Sequence, residues 1–278
     1  MLTIGKYHTL KIARDMPQGM YLEDEEGEEV LLPRDYCKIE WRLEEMVKVI
    51  VYVDAEDRYV ATTETPFLTL GGFAFLKVNQ VNQVGAFCDW GTTKELFVPF
   101  RNQNEPLEEG KKYVVHMYRD DLSDRLVGTT KIKKYLKAEA DETIFKGKEV
   151  HVLVYGKSEL GYKVIVNQEF EGLIYLNEVT KEISIGEALK GYVKPIREDG
   201  KIDISLKPFG FMNIEPNANI LLEKLNGNDG FLPYTDKSDP EKIRTEFGMS
   251  KKLFKKALGS LYRQKLITIK DNGFYKVD

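Results

Sequence analysis

The chain has little of what covalent or metal chemistry needs. Two cysteines, Cys37 and Cys88, and three histidines, His8, His116 and His151, are spread over 278 residues. A disulfide is not expected, which fits a reducing cytoplasm. None of the histidines has a cysteine or carboxylate at ligand spacing, so no metal site is expected. No phosphate-cradling glycine loop and no nucleophile motif occurs, so neither a cofactor nor an enzyme activity is indicated. The acidic pairs Asp120-Asp121 and Glu198-Asp199 each precede a closing strand and read as turns, not as a two-metal nuclease centre. No apolar run approaches the ~20 residues of a membrane span. The first residues, Met1-Leu2-Thr3-Ile4-Gly5-Lys6-Tyr7, lack the regions of a signal peptide. A cytoplasmic protein with no membrane partner is the expectation.

What is present is a repeat. Gly85-Ala86-Phe87-Cys88 runs into Leu96-Phe97-Val98-Pro99 and closes on Arg125-Leu126-Val127-Gly128-Thr129-Thr130-Lys131. Upstream, Gly19-Met20-Tyr21-Leu22, Leu31-Leu32-Pro33 and Arg58-Tyr59-Val60-Ala61-Thr62-Thr63 follow the same outline, with Arg58 and Arg125 67 positions apart. Downstream, Gly161-Tyr162-Lys163-Val164, Gly172-Leu173-Ile174-Tyr175 and Lys201 to Lys207 follow it again, 76 positions on from Arg125. Short alternating strands with glycine and acidic turns make each unit a small five-stranded barrel. Such a unit closes its own core, so the units are beads on a string and not a solenoid. The apolar stretch Phe67 to Leu76 links the first unit to the second and supplies a first strand, with Phe73 and Phe75 read as core or interdomain packing residues and nucleic-acid stacking as the alternative. Lys131 to Ala140 reads as a helix-compatible linker.

After Pro208-Phe209-Gly210-Phe211 the pattern changes. Asn217 to Leu225 reads as a helix ended by Asn226-Gly227. Asp239-Pro240-Glu241 is a cap, a proline at the first helical position and an acidic first turn, so Pro240 to Phe247 is a helix. Ser250 caps another, whose Phe254, Ala257, Leu258 and Leu261 share one face. Leu266 to Val277 around Asn272-Gly273 is a hairpin. Helix, turn, helix, hairpin is the order of a winged helix. The reading is therefore a mainly β chain: S1-like oligonucleotide-binding (OB-fold) barrels at 1–64, 65–140 and 141–208, then an α/β winged-helix domain at 209–278.

Charge is unevenly placed. The net charge is −4. Residues 1–64 hold 8 basic against 15 acidic side chains, net −7, whereas the next three segments carry +2, −2 and +3. The cluster Glu23-Asp24-Glu25-Glu26-Gly27-Glu28-Glu29 would repel phosphate. It reads as a solvated hairpin tip, with an acidic mimic that contacts a basic partner as the alternative.

Single-stranded nucleic acid is held by aromatic side chains on a barrel face with basic residues along the backbone path, and barrels of this kind use strands two and three. In the second unit that face takes Phe87, with Trp90 nearby and Arg125 on the closing strand; Phe97 reads as core and Trp90 has a barrel-capping alternative. In the third unit the face takes Tyr162, Lys163, Tyr175, Arg197 and Lys201. The last domain offers Lys251, Lys252, Lys255, Lys256 and Arg263 on or beyond one helix, either as a solvated face or as a polyanion contact. No Asn, Gln or Arg stands in that helix's first turn to read base edges, which weighs against sequence-specific DNA reading.

Gly85 to Phe87 through Val98-Pro99, with Gly110-Lys111-Lys112 and Arg125 to Lys131, resembles the RNA-binding S1 repeat of the small-ribosomal-subunit protein family. That family's face has an aromatic before the glycine, another two after it, a histidine after the next strand, and a basic residue opening the last strand. The second unit matches with Phe87 and Arg125 but has Val84 and Pro99 elsewhere. The third has Tyr175 and Lys201, with Leu160 and Lys163 at the aromatic places; the first keeps Tyr21 and Arg58 but has Gln18 and Pro33. Three such units followed by Ser238-Asp239-Pro240-Glu241 and Phe247-Gly248-Met249-Ser250-Lys251-Lys252 resemble, over the whole chain, the bacterial conserved virulence factor B (CvfB) family. The resemblance implies an RNA-binding regulator of gene expression, including virulence factors in pathogens. The expected partner is single-stranded RNA, with a DNA-binding transcription regulator led by the winged helix and a protein-interaction scaffold as the alternatives. Nothing in the sequence argues for an obligate oligomer.

Overall fold

The fold was determined as a computed structural model, which describes residues 2–54, 56–179, 181–208 and 216–277. The expected change of pattern at Phe209-Gly210-Phe211 lies outside them. The first barrel is β1 (Tyr7–Met16), β2 (Gly19–Glu23), β3 (Glu29–Pro33), β4 (Met46–Val53) and β5 (Tyr59–Thr62), closed in the order β1-β2-β3-β5-β4. The second is β6 (Phe73–Val81), β7 (Gly85–Asp89), β8 (Leu96–Pro99), β9 (Lys112–Arg119) and β10 (Leu126–Thr129). The third is β11 (Glu149–Lys157), β12 (Gly161–Val166), β13 (Phe170–Tyr175), β14 (Ala188–Val193) and β15 (Ile202–Ser205), closed like the first. In the second, β8 and β10 lie side by side without a ladder. The Asn102 amide spans that seam, donating to the Gly128 carbonyl at 3.2 Å and the Tyr118 hydroxyl at 2.8 Å.

Alternation decides what each strand buries. On β7, Ala86 and Cys88 point inward and Phe87 outward; on β8, Leu96 and Val98 point inward and Phe97 outward. Burial pushes the Cys88 thiol up to about 12, so it packs as a small hydrophobe, and neither cysteine is in a disulfide. Each first strand carries a register shift at the same place, between Ile12 and Arg14, Val78 and Gln80, and Val154 and Gly156. A bulge there bends the strand so that it pairs with its second strand at one end and its fourth at the other, the geometry a small barrel needs.

The glycine that opens each second strand is required by closeness. A Cβ on Gly85 would stand 2.5 Å from the Val98 carbonyl oxygen, and on Gly19 and Gly161 only 2.1 and 2.0 Å from the Leu32 and Ile174 oxygens.

The barrels are joined by packing, not by loose linkers. Leu126 of the second packs on the core of the first, and Ile50 of the first on the core of the second. A separate apolar cluster of Phe73, Val114, Ile132, Leu153 and Ile165 lies between the second and third barrels. There the Phe73 amide donates to Gln168 Oε1 at 2.6 Å, and the Phe75 ring occupies the space that a side chain at Gly186 would need, with ring carbons 2.1–2.3 Å from its ideal Cβ. The segment expected to be a helical linker is a short 3-10 turn over Ile132–Tyr135 followed by extended chain. The Lys137 amide donates to the Glu169 carbonyl and its own carbonyl accepts from the Glu171 amide, both at 2.9 Å, so pairing beside β13 overrides helix propensity.

The C-terminal domain is α1 (Pro216–Asn226), β16 (Phe231–Leu232), α2 (Pro240–Phe247), α3 (Lys251–Arg263), β17 (Ile267–Lys270) and β18 (Gly273–Lys276). The Asp239 carboxylate accepts from the amides of Glu241 and Lys242, Gly248 ends α2 in the left-handed conformation, and the Ser250 hydroxyl caps α3. Phe254, Ala257, Leu258 and Leu261 enter one core with Leu221, Phe247 and Phe274. The wing pairs Lys270 with Gly273, so its turn is Asp271-Asn272, one residue earlier than the sequence signal. Gly273 instead sits in the strand, where a Cβ would stand 2.2 Å from the Leu232 oxygen.

Gly85→Ala must push β8 away, and should lower the stability of the chain by roughly 1–3 kcal/mol in urea unfolding; an unchanged midpoint and slope would refute the close-approach argument. His116 is 4% exposed between Phe73 and Tyr135, and its Nδ1 has no hydrogen-bond partner. Burial, with Lys134 nearby, lowers its pKa to about 4. The unfolded chain then takes up a proton that the folded one refuses. Stability is intact above the ordinary value near 6.5 and falls by up to about 3 kcal/mol as pH drops from there to 4. Urea melts of wild type and His116→Gln across that window should diverge, the variant losing less.

Candidate nucleic-acid interface

Strand register aligns the three faces. Tyr21 stands opposite Leu31, Phe87 opposite Phe97 and Lys163 opposite Leu173. One step toward the barrel rim, Gly19 pairs Pro33, Gly85 pairs Pro99 and Gly161 pairs Tyr175. The outward cross-strand pair is thus Tyr/Leu, Phe/Phe and Lys/Leu in the three barrels.

The second barrel has the aromatic pair. The Phe87 and Phe97 rings are 5.1 Å apart and tilted by 35°. They line a cleft of about 720 Å³ with Phe100, Lys94, Arg101 and Arg125, and the first barrel supplies Tyr52 and Val53 as its far wall. Phe97 is therefore a face residue and not the core residue its neighbours implied, because Leu96 and Val98 take the inward positions. Trp90, expected near the face, is 2% exposed in the barrel core, with its indole N–H donated to the Lys94 carbonyl. Tyr52, Lys94, Phe100 and Arg101 had no sequence signal. They lie in turns or in the other barrel, and only the inter-barrel packing brings them together.

Protein acceptors already engage the cations of this cleft. Arg125 is ion-paired with Asp57 of the first barrel, its Nε at 3.0 Å. Arg101 meets Asp120 at 3.2 Å. The Lys94 ammonium donates to the Val53 carbonyl, and burial, with Arg125 beside it, lowers its pKa.

The third barrel departs from expectation at one residue. Tyr162 is 4% exposed and packs in the core, since the position after the glycine points inward and Lys163 takes the face. Tyr175 is half-buried, donates its hydroxyl to Asp203 Oδ2 at 3.4 Å and lies 5.3 Å from the Lys194 ammonium. Asp203 is 8% exposed, and burial raises its pKa. Arg197 and Lys201 share Asp199, at 3.3 and 2.9 Å.

On the first barrel, Arg14 lies 4.7 Å over the Tyr21 ring and Arg58 is paired with Asp54 and Glu56. The acidic hairpin is an ordered turn in which Asp24 accepts the amides of Glu26 and Glu28 at 3.0 and 2.8 Å. On α3, Lys252, Lys255, Lys256 and Arg263 are exposed and Lys251 is half-buried. Lys255 reaches Asp236 at 3.5 Å, and Arg263 donates to the Gly259 carbonyl at 3.3 Å. No helix among the described residues is long and apolar enough to cross a membrane.

Comparison with known proteins agrees with these parts. An S1 domain model matches residues 4–64, and a CvfB-like winged helix domain model matches 219–275. Neither describes a catalytic family. Conserved virulence factor B of Staphylococcus epidermidis is 25% identical over 96% of this chain and 92% of its own length, and that of Staphylococcus aureus 27% over 96% and 91%. Uncharacterized protein YitL of Bacillus subtilis is 28% identical over 97% and 92%. A solved multidomain protein with nucleic acid binding domains from Streptococcus pneumoniae shares 24% identity over 99% of this chain and 98% of that one, with a TM-score of 0.45. With an S1 unit, a winged helix of the CvfB-like type and likeness nearly end to end, the chain is similar throughout to the conserved virulence factor B proteins.

Proposed function

We propose that this protein binds single-stranded RNA, without chemistry of its own, and acts in the cytoplasm as a regulator of gene expression. The observation that carries the reading is the Phe87–Phe97 pair, outward on strands two and three of the second barrel and bordered by Lys94, Arg101 and Arg125. A tilted aromatic pair offers a π-face to any base, while the cations meet phosphate. Lys163, Tyr175, Arg197 and Lys201 on the third barrel, and Lys251, Lys252, Lys255, Lys256 and Arg263 at the winged helix, extend the same chemistry. Trp90 and Tyr162 support the barrels from inside.

A second reading is DNA binding led by the winged helix. It rests on the cationic α3, which carries no acid from Lys251 to Arg263. Its first turn holds lysine, lysine and leucine, which contact phosphates but read no base edge.

Phe87→Ala should weaken binding to an unstructured oligouridylate by about 5- to 150-fold, the loss of one stacked base at ~1–3 kcal/mol. A duplex DNA competitor should displace it poorly; displacement by duplex at equal concentration, with Phe87→Ala silent, would transfer the function to the winged helix. Asp57→Asn releases Arg125, and the exposed pair is worth at most about 1 kcal/mol, so RNA affinity should rise by up to about fivefold at low salt. That gain should vanish in an Arg125→Ala background. A gain that persists there would mean that Asp57 acts by general repulsion and not by holding Arg125.

A further inference from the structure

The cations of the aligned S1 faces are largely paired, Arg58 to Asp54, Arg125 to Asp57, and Arg197 and Lys201 to Asp199. A different arrangement holds at the junction of the second and third barrels. A groove of about 530 Å³ there is lined by Lys112, Lys133 and Lys163 and by the aromatic residues Phe75, Tyr113 and Tyr155. Among the described residues none of the three lysines forms an ion pair, and Glu105 is the one carboxylate in the lining.

We propose that this groove is a phosphodiester-binding site, through which a single strand of nucleic acid passes onto the face of the third barrel. The inference rests on the nucleic-acid reading above and deepens it. Three observations carry it. Unpaired ammonium groups release counterions when they meet phosphate and give up no existing partner, so they contribute more net affinity than paired ones. Aromatic rings beside them offer stacking surface. Lys163 also belongs to two places at once: it lines the groove, and it holds the outward position of the third barrel equivalent to Phe87. The groove therefore opens onto an S1 face. Its walls are also held in place, because the Phe75 ring lies against Gly186 and the Phe73 amide is tied to Gln168 across the junction. A preformed groove does not have to be ordered when the strand arrives.

The test uses the full chain with Lys112→Ala/Lys133→Ala/Lys163→Ala, and titrates fluorescent oligouridylate and oligothymidylate at several salt concentrations. A single strand contributes about −0.7 to the log–log salt slope per neutralised phosphate, so the triple variant should have a slope shallower by about 2 and bind at least about tenfold more weakly at low salt. Lys112 and Lys133 are exposed and Lys163 is half-buried by its stem, so the melting temperature should stay near wild type and separate lost contacts from lost fold. If wild type binds, Phe87→Ala weakens it and the triple variant keeps both slope and affinity, the groove proposal fails while the RNA reading stands. If wild type binds neither oligonucleotide, both fail. Binding of a polyglutamate peptide that the triple variant loses, with no oligonucleotide bound, would overturn the proposal in favour of an acidic protein partner.

Discussion

The faces of all three barrels depend on one close approach. The glycine opening each second strand lies against a carbonyl of the third, with no room for a Cβ. That contact brings the two strands together at the rim and sets their register, and register then decides which side chain points to solvent. A one-residue slip would send Phe87 and Phe97 into the core and bring Ala86 and Val98 out. The wing repeats the device, Gly273 lying against the Leu232 carbonyl. Two unrelated folds in one chain thus solve the same problem of tight strand approach in the same way.

The next constraint is electrostatic. The first barrel is strongly acidic and abuts the second, and the Asp57–Arg125 pair is the visible result. It does not repel the second barrel; it supplies Tyr52 and Val53 as the wall of the Phe87–Phe97 cleft. Its acidity therefore acts locally, through single carboxylates that hold single cations, while its apolar edge shapes the cleft. Exposed pairs of this kind are worth little in stability. Their larger consequence is that the cations of the barrel faces already hold carboxylate partners.

Much of this was legible in the chain. The repeat of glycine, outward aromatic and closing basic residue located the barrels, because strand period and turn residues are local properties. The caps at Asp239 and Ser250 placed α2 and α3 for the same reason. Failures came where tertiary packing chose between local options. Phe97 and Trp90 are both large aromatics near one rim; the alternation of Leu96 and Val98 sends Phe97 out, and the indole finds a carbonyl inside. Tyr162 and Lys163 both read as face residues, but only Lys163 follows the parity of Phe87, and Tyr162 enters the core. The linker at 131–140 lost its helix to pairing beside β13. Tyr52 has no signal in the pattern, because what gives it its place in the cleft is the packing of the first barrel on the second.

That last point bears on how partial faces can act together. No barrel has the full set of face residues of the S1 repeat, and only the second carries an outward aromatic pair. Joined by flexible linkers, three such faces would gain from each other only through effective concentration, with the ordering cost met at each encounter. Here the junctions are packed: Leu126 and Ile50 on one side, Phe73, Phe75 and Gly186 on the other. Packed junctions fix the spacing between faces before any ligand arrives, and they create lined space, the cleft at the first junction and the groove at the second. In this chain the junctions carry lined space of their own, and the first barrel becomes a wall of its neighbour's cleft.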